Sequence, residues 1–177
     1  MDKTIVLMGW SSSGKDCSIE YLSNKYNIPI SISNTTRPRR NCETEGVEYN
    51  FMTENEFNSQ DYMMPPRIYH SVFGDWLYGT SLDVKGKLVI LDYSGTKHLC
   101  NKLGRENIIV IKLNASKAII KRRYVGRGDN ISEVNRRIAD DIIVFEGSDE
   151  YADYIINNNG TSEELFDKLD EVMGVVL

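Results

Sequence analysis

Residues 4–16 read TIVLMGWSSSGKD. The apolar run at 4–8 is typical of a strand buried on both faces of a parallel sheet. It leads into a G-x-x-x-x-G-K loop at residues 9–15, and a helical pattern follows Lys15. In this strand–loop–helix context the loop N–H groups form an anion nest at the positive end of the helix. We therefore expect a nucleoside triphosphate site, with Lys15 at the β- and γ-phosphates.

The donor contacts predicted from this motif come from the loop and the first turn of the helix. They are Gly9, Ser11, Ser12, Ser13, Gly14, Lys15, Asp16 and Cys17. Asp16 stands where a Ser or Thr usually supplies a hydroxyl ligand to Mg²⁺. Because Mg²⁺ prefers oxygen ligands, a carboxylate can take that role. We predict Asp16 as a metal ligand, and the alternative is a weakened or lost metal site.

The rest of the chain alternates short apolar runs with helical patterns. The predicted strands are residues 4–8, 29–33, 88–92, 107–113 and 154–157, and the predicted helices are 15–25, 96–103, 115–125, 132–145 and 162–173. Asn114, Asn130 and Thr161 are candidate N-caps, the last two with a glutamate three residues later. The alternation predicts an α/β fold of the P-loop NTPase type, three layers around a central five-stranded parallel sheet.

Residues 34–83 break this alternation. They contain three of the four prolines, many aromatic residues and one short helix signal at 53–60. We predict an inserted subdomain with antiparallel strands here. Residues 1–33 and 84–177 would then form the core of a single domain.

Composition excludes several classes of protein. The chain has 177 residues, of which 41% are hydrophobic and 27% charged, with a formal net charge of −5. An acidic protein is a poor binder of nucleic-acid polymers, and no apolar run is long enough to span a membrane. Cys17, Cys42 and Cys100 are widely spaced, and with His70 and His98 they have no zinc-ligand spacing. We expect a cytoplasmic protein without a signal peptide, disulfide framework or structural metal site.

A second basic cluster lies in residues 33–51, SNTTRPRRNCETEGVEYNF. Arg37, Arg39 and Arg40 surround Pro38, which stiffens the loop. Close guanidinium groups repel one another unless an anion lies among them, and arginine binds phosphate in a bidentate manner. The cluster is predicted to hold a second phosphate. On composition alone, a solvated basic turn is an equal alternative.

With this segment the chain resembles the guanylate kinase family. The family motifs S-x-T-T-R-x-x-R, E-x-x-G-x-x-Y-x-F, Y-G-[ST], I-L-D, R-x-x-x-R-G and I-x-N occur here in family order. They correspond to residues 33–40, 43–51, 78–80, 90–92, 123–128 and 155–157. Each motif is weak alone, but the ordered set covers nearly the whole chain.

The resemblance implies roles for residues outside the phosphate loop. Residues 34–83 would be the subdomain that binds the acceptor nucleoside monophosphate. Arg37, Arg40, Tyr49 and Tyr78 would bind its phosphate, and Ser33 and Thr80 would face its base. Asp92 would support Mg²⁺ through water, and Asn157 would contribute to the ATP site. The family also reads guanine with a glutamate, where Ile68 stands nearest, and with a second acidic residue, where Ser94 stands.

A helical lid is predicted at residues 121–138. Arg123 and Arg127 are four residues apart, so they share one face of a helix, and like charges at that spacing favour a common anion. Arg137 is where the family places a further phosphate-facing arginine, and Arg136 is the competing choice. Asp140 and Asp141 could pair with the lid arginines when the lid is open. A solvated basic helix is the alternative for this segment.

These observations predict a kinase that transfers the γ-phosphate of ATP to a nucleoside monophosphate, GMP or dGMP by the resemblance. Lys15, Asp92, Arg123 and Arg137 are the predicted catalytic residues, and Asp16 and Asp92 the predicted Mg²⁺ ligands. The partners would be nucleotides, with no nucleic acid or membrane, and the protein a monomer or homodimer. The alternatives are a kinase for another or modified nucleotide, a plain ATPase, and an inactive module that binds a protein through the arginine cluster.

Overall fold

The computed structural model describes residues 3–41, 43–71 and 73–177, so Cys42 lies outside the described residues. Strands and helices alternate along the chain. The strands are β1 (Thr4–Gly9), β2 (Asn34–Thr35), β3 (Asn50–Phe51), β4 (Arg67–Ser71), β5 (Gly74–Gly79), β6 (Leu88–Leu91), β7 (Ile108–Asn114) and β8 (Tyr154–Asn157). The α-helices are α1 (Lys15–Tyr26), α2 (Glu54–Asn58), α3 (Tyr93–Leu103), α4 (Lys117–Gly126), α5 (Ile131–Val144) and α6 (Ser162–Val176).

The core sheet is parallel, with strand order β6-β1-β7-β8. Side chains of β1 alternate between two apolar clusters. Ile5 and Leu7 pack with residues of α1 and α6, whereas Val6 and Met8 pack with residues of α3. Helices therefore cover both faces of the sheet, which explains the continuous apolar runs. The predicted three-layer α/β/α architecture is confirmed.

The prediction of five strands was wrong by one, because the described sheet has four. Residues 29–33 run beside β6, but they contribute only a single bridge from Ile30 to Leu88. Pro29 accepts a hydrogen bond from the Leu88 N–H through its carbonyl oxygen, 2.9 Å away. Because Pro29 has no N–H of its own to donate, the pairing does not extend toward it.

A second sheet, with strand order β3-β2-β5-β4, lies entirely within residues 34–83. β5 is antiparallel to both β2 and β4, and the short β3 is parallel to β2. The antiparallel character expected for the insert is therefore present in three of its four strands. The division of the chain into core, insert (residues 34–83) and lid (residues 121–138) stays a prediction.

The predicted helices lie within a few residues of those in the structure. Asn130 caps α5 by accepting from the N–H groups of Ser132 and Glu133, and Thr161 caps α6. The Asn114 prediction was wrong, because β7 extends through Asn114 and Ser116 caps α4 instead. Among the described helices, none combines the length and apolar character that a bilayer-spanning segment needs.

Candidate active site between the phosphate loop and the insert

The phosphate loop requires glycine at both ends. Gly9 has φ +149°, and a Cβ there would lie 2.3 Å from the carbonyl oxygen of Leu113 on β7. Gly14 has φ +108° and precedes α1 as an N-cap without a side-chain hydrogen bond. Ser12 also has a left-handed backbone, with φ 61°. The uncapped N–H groups of the first turn of α1 are therefore left to a ligand, as an anion nest requires.

Lys15 lies folded over the loop. Its Nζ donates to the carbonyl oxygens of Gly9, at 2.8 Å, and Trp10, at 2.7 Å. Burial lowers the pKa of Lys15, while the carboxylates of Asp16 and Asp141 act in the opposite direction. Since carbonyl oxygens are weaker partners for an ammonium group than phosphate oxygens, Lys15 is well placed to turn toward a bound triphosphate.

A carboxylate lies against one N–H group of the loop. Asp141 of α5 accepts a hydrogen bond from the backbone N–H of Ser11, with 2.7 Å between N and Oδ2. The Asp141 side chain is buried, and burial raises its pKa, although this hydrogen bond and Lys15 act against the rise. The predicted pairing of Asp141 with lid arginines is therefore replaced by a contact with the phosphate loop.

Asparagine contacts the loop one residue beyond the predicted position. The buried side chain of Asn158 donates through Nδ2 to the carbonyl oxygen of Ser13, 2.8 Å away. Asn157 is exposed, and its carbonyl oxygen accepts from Lys168 at 2.9 Å. Sequence reasoning missed Asn158. The alternation of side chains along a strand could have indicated it, because residue 158 lies on the same face as Ile156, which is buried.

Both predicted lid arginines reach the phosphate loop. Arg123 donates from Nη1 to the carbonyl oxygen of Ser12 and from Nη2 to that of Asn158, each at 3.0 Å. Arg127 donates to the hydroxyl of Ser12. Burial lowers the pKa of Arg123. Two guanidinium groups from α4 and its C-terminal end therefore approach the loop, where a triphosphate would lie.

The predicted acceptor side of the site is centred on Arg37. Its guanidinium forms a bidentate pair with Glu43, with 2.7 Å from Nη2 to Oε1 and 3.0 Å from Nη1 to Oε2, and its Nε donates to the Tyr78 hydroxyl at 3.1 Å. The ring of Tyr49 lies 5.6 Å from the guanidinium carbon. Burial alone would raise the pKa of Glu43, but the Arg37 hydrogen bonds overcome it and the pKa is lowered. Glu43 thus fixes Arg37 before any phosphate binds.

Arg40 is held more loosely. Its side chain is 49% exposed, against 10% for Arg37, and its Nη1 lies 3.7 Å from Glu43 Oε1. Arg39 points elsewhere and donates to the carbonyl oxygen of Glu43. Arg37, Arg40 and Arg137 line one cavity of about 230 Å³ between the insert and the lid. We call it the acceptor cavity, and its other lining residues are Pro38, Tyr69, Ser71, Phe73, Trp76, Asp129, Asn130 and Glu133.

An unpredicted carboxylate organises the lid side of this cavity. Glu133 is 4% exposed and accepts from Arg136 Nε at 3.0 Å, from Arg137 Nε at 2.8 Å and from the Tyr69 hydroxyl at 3.1 Å. Burial would raise the pKa of Glu133, but the arginine hydrogen bonds lower it to about 2. Arg136 also pairs with Asp140, whereas Arg137 lines the cavity. In the sequence Glu133 had the place of a capping-box residue, so no motif indicated this role.

The strand register decides which side chains stand at the predicted base-facing end of the insert. The register that pairs Asn34 with Gly79 sets Ser33 beside Thr80, which is buried. Ile68 is 53% exposed and lies on the opposite face of β4 from its neighbours Arg67 and Tyr69. Because β4 alternates, the side chains that face the cleft at this point are those of Arg67 and Tyr69. Sequence reasoning assigned neither of them to the site.

Asp92 lies at the carboxyl end of β6 and caps α3. Its Oδ1 accepts from the Gly95 N–H and its Oδ2 from Arg67 Nη1, each at 2.7 Å. Asp16 is exposed and makes no hydrogen bond or ion pair with any described residue. Across the described ranges no group of three or more His, Cys, Asp or Glu side chains could hold a metal ion. A magnesium ion would therefore depend on Asp16 and on nucleotide oxygens, as is usual for Mg²⁺ at phosphate sites.

The chain is similar to known guanylate kinases over most of its length. The family model for guanylate kinase matches residues 1–175. The chain is similar to a guanylate kinase of Haemophilus influenzae, with 34% identity over 92% of this chain and 83% of that one. A guanylate kinase of Fusobacterium nucleatum is 30% identical over 86% of each chain. The crystal structure of guanylate kinase from Anaplasma phagocytophilum aligns with a TM-score of 0.65 and 25% identity, covering 98% of this chain and 85% of the other.

Proposed function

The chain belongs to the guanylate kinase family of nucleoside monophosphate kinases, and we propose that it transfers the γ-phosphate of ATP to GMP or dGMP. The phosphate loop would bind ATP and the acceptor cavity would bind the monophosphate. We also propose that the enzyme acts in the cytoplasm on free nucleotides, since a net charge of −5 disfavours binding of nucleic-acid polymers.

One observation carries this proposal. Helix α5 contacts both anion sites: Asp141 meets the N–H of Ser11 in the phosphate loop, and Arg137 lines the acceptor cavity. These two residues are four apart on the helix, so their side chains emerge about 6 Å from each other. A donor and an acceptor phosphate held at the two sites would therefore be neighbours. This proximity is what direct transfer between two bound nucleotides requires.

The proposed reaction is a direct in-line displacement. An oxygen of the acceptor phosphate forms a bond to the γ-phosphorus as the bond from that phosphorus to the β–γ bridging oxygen breaks, and ADP leaves with the bond's electron pair. Lys15 and the lid arginines Arg123 and Arg127 stabilise the negative charge that spreads over the transferring group. Arg37 and Arg40 hold the acceptor phosphate. No covalent enzyme intermediate is involved.

Of the two predicted magnesium ligands, only Asp16 has carboxylate oxygens near the loop that are free of bonds to the described residues. Asp16 would hold it together with oxygens of the bound nucleotide, while both carboxylate oxygens of Asp92 are already engaged. When bound, the ion would neutralise charge on the β- and γ-phosphates. Asp92 is then better described as a residue that positions Arg67 and the start of α3.

A panel of acceptors tests the function. ATP and Mg²⁺ are supplied with each ribo- and deoxynucleoside monophosphate, and ADP and the nucleoside diphosphate are both measured. We expect acceptor-dependent turnover that is highest with GMP or dGMP and absent from Lys15→Met. Higher turnover with another base would contradict the guanine assignment alone. ADP formed at the same rate without any acceptor would contradict the kinase assignment and support an ATPase.

A further inference from the structure

Arg67 belongs to the same face of the insert as Tyr78. Tyr78, Arg37, Arg40 and Tyr49 are the residues predicted to hold the acceptor phosphate, and we call them the acceptor clamp. The register of the β4–β5 hairpin pairs Arg67 with Tyr78, and directly paired residues project their side chains on one face of a sheet. Tyr78 accepts the Arg37 Nε hydrogen bond through its hydroxyl. The side chain of Arg67 therefore leaves the strand next to Tyr78, which is predicted to bind the acceptor phosphate.

From that position Arg67 reaches across the cleft to the core. Its Nη1 lies 2.7 Å from Oδ2 of Asp92, the first residue after β6. The last residue of β6, Leu91, is paired with Met8, and the phosphate loop begins at the next residue, Gly9. One side chain thus extends from the acceptor clamp to the strand end beside the donor loop.

The guanidinium retains donors for a ligand. Nη1 makes the one hydrogen bond from this side chain to the described part of the chain, so Nε and Nη2 can still donate. The side chain is 41% exposed, which leaves it open to the cleft. Asp92 holds the guanidinium group of Arg67 in one orientation through this hydrogen bond. An arginine held in this way can bind phosphate oxygens with its second edge.

Two carboxylates near the phosphate loop favour a further positive charge at this place. Asp141 lies on the Ser11 N–H, and Asp16 stands where a neutral hydroxyl is usual. The lid arginines contact the loop at Ser12, from α4 and its C-terminal end, whereas Arg67 comes from the insert. Burial lowers the pKa of Lys15 and raises that of Asp141, and the charge of Arg67 acts on both groups in the lowering direction, so it reaches the loop as well.

We propose that Arg67 is a catalytic residue, which contacts the transferring phosphoryl group from the acceptor side of the cleft. This rests on the proposed kinase reaction, in which the phosphoryl group passes between the clamp and the phosphate loop. The competing explanation is an exposed ion pair that joins the insert to the core. Such a pair contributes little to stability and nothing specific to turnover.

Steady-state kinetics of Arg67→Met, Arg67→Lys and a matched control test the assignment. Arg105→Met is the control, because Arg105 is also 41% exposed and lies 2.7 Å from a carboxylate oxygen, that of Asp153, away from the cleft. We expect kcat of Arg67→Met to fall about 10²-fold, the usual loss for one electrostatic stabiliser, with acceptor KM within about threefold. Arg67→Lys should retain part of kcat, since the charge remains, and Arg105→Met should retain all of it.

Several results would overturn the proposal. They are an unchanged kcat in Arg67→Met, an equal loss in Arg105→Met, or a loss confined to one acceptor base, which would make Arg67 a base-reading residue. If Arg67→Met does not fold, two other measurements replace it. One is kcat of Arg67→Lys, and the other is kcat of Arg67→Ala with added guanidinium ion. We expect guanidinium to restore part of kcat to Arg67→Ala. Failure of the proposed function would be distinct, because the wild type would then show no acceptor-dependent turnover, and the role of Arg67 would fall with it.

Discussion

Replacing Glu133 with glutamine removes the charge at the centre of the network between the insert and the lid. The amide keeps the shape of the side chain but cannot form an ion pair with Arg136 or Arg137. Both arginines and the Tyr69 hydroxyl now converge on this carboxylate, which is 4% exposed. We expect the folded state of Glu133→Gln to be less stable, because two guanidinium groups lose their buried counter-ion.

The size of the effect follows from the proton affinity of the carboxylate. The pKa of Glu133 is about 2 in the folded protein and 4.5 ordinarily. Each tenfold change in proton affinity corresponds to about 1.4 kcal/mol, so the ionised group stabilises the folded state by about 3 kcal/mol. We expect urea unfolding at pH 7 to show a free energy of unfolding lower by about that amount in Glu133→Gln.

The pH dependence gives a second test with a definite sign. Because the folded-state pKa of Glu133 is lowered, its contribution is complete above pH 4.5 and is lost as the pH falls toward 2. At pH 3.5 the wild type should have lost about 1.4 kcal/mol of it, whereas the variant has none to lose. The difference between the two proteins should therefore shrink to about half its pH 7 value.

Glu146→Gln is the control, since Glu146 is exposed and its side chain makes no hydrogen bond or ion pair within the described residues. Its unfolding should match the wild type within about 0.5 kcal/mol. If Glu133→Gln and wild type differ by the same amount at pH 7 and pH 3.5, the reasoning about this carboxylate is refuted. A variant as stable as the wild type at pH 7 would refute it as well.

Three further predictions concern the two phosphate sites. Arg40→Met should raise the acceptor KM by about tenfold with ATP affinity unchanged, because a hydrogen bond to a charged group contributes about 1.5–3 kcal/mol; an unchanged acceptor KM would contradict the role of Arg40. Gly9→Ala should abolish ATP binding in calorimetry, because its Cβ would lie 2.3 Å from the Leu113 carbonyl oxygen, and normal affinity would contradict that contact. Asn158→Ala should weaken ATP binding more than Asn157→Ala, since only Asn158 bonds the loop, and the reverse order would favour the sequence-based choice.

Much of the core could be predicted from local sequence. A buried parallel strand, a glycine-bounded loop and a helix follow one another in residues 4–26, so the interactions that position Lys15 are close in the chain. The fifth strand was over-predicted because hydrophobicity alone does not show that Pro29 limits its pairing. The capping role given to Asn114 failed because β7 continues through that residue.

The residues missed at the site depend on register and tertiary contacts. The β4–β5 hairpin decides that Arg67 and Tyr69 face the cleft while Ile68 does not, and this register cannot be read from a short polar strand. Glu133 meets Tyr69 across 64 positions of sequence. Composition gives no sign of such a contact, so these roles required the folded chain.

Binding of a bisubstrate analogue, adenosine and guanosine joined by five phosphates, tests the central claim most directly. If the phosphate loop and the acceptor cavity open into one cleft, the analogue occupies both and should bind at least about 10²-fold more tightly than ATP or GMP alone. Lys15→Met and Arg40→Met should each remove that gain. An analogue that binds no more tightly than ATP, with an affinity unaffected by Arg40→Met, would contradict the account.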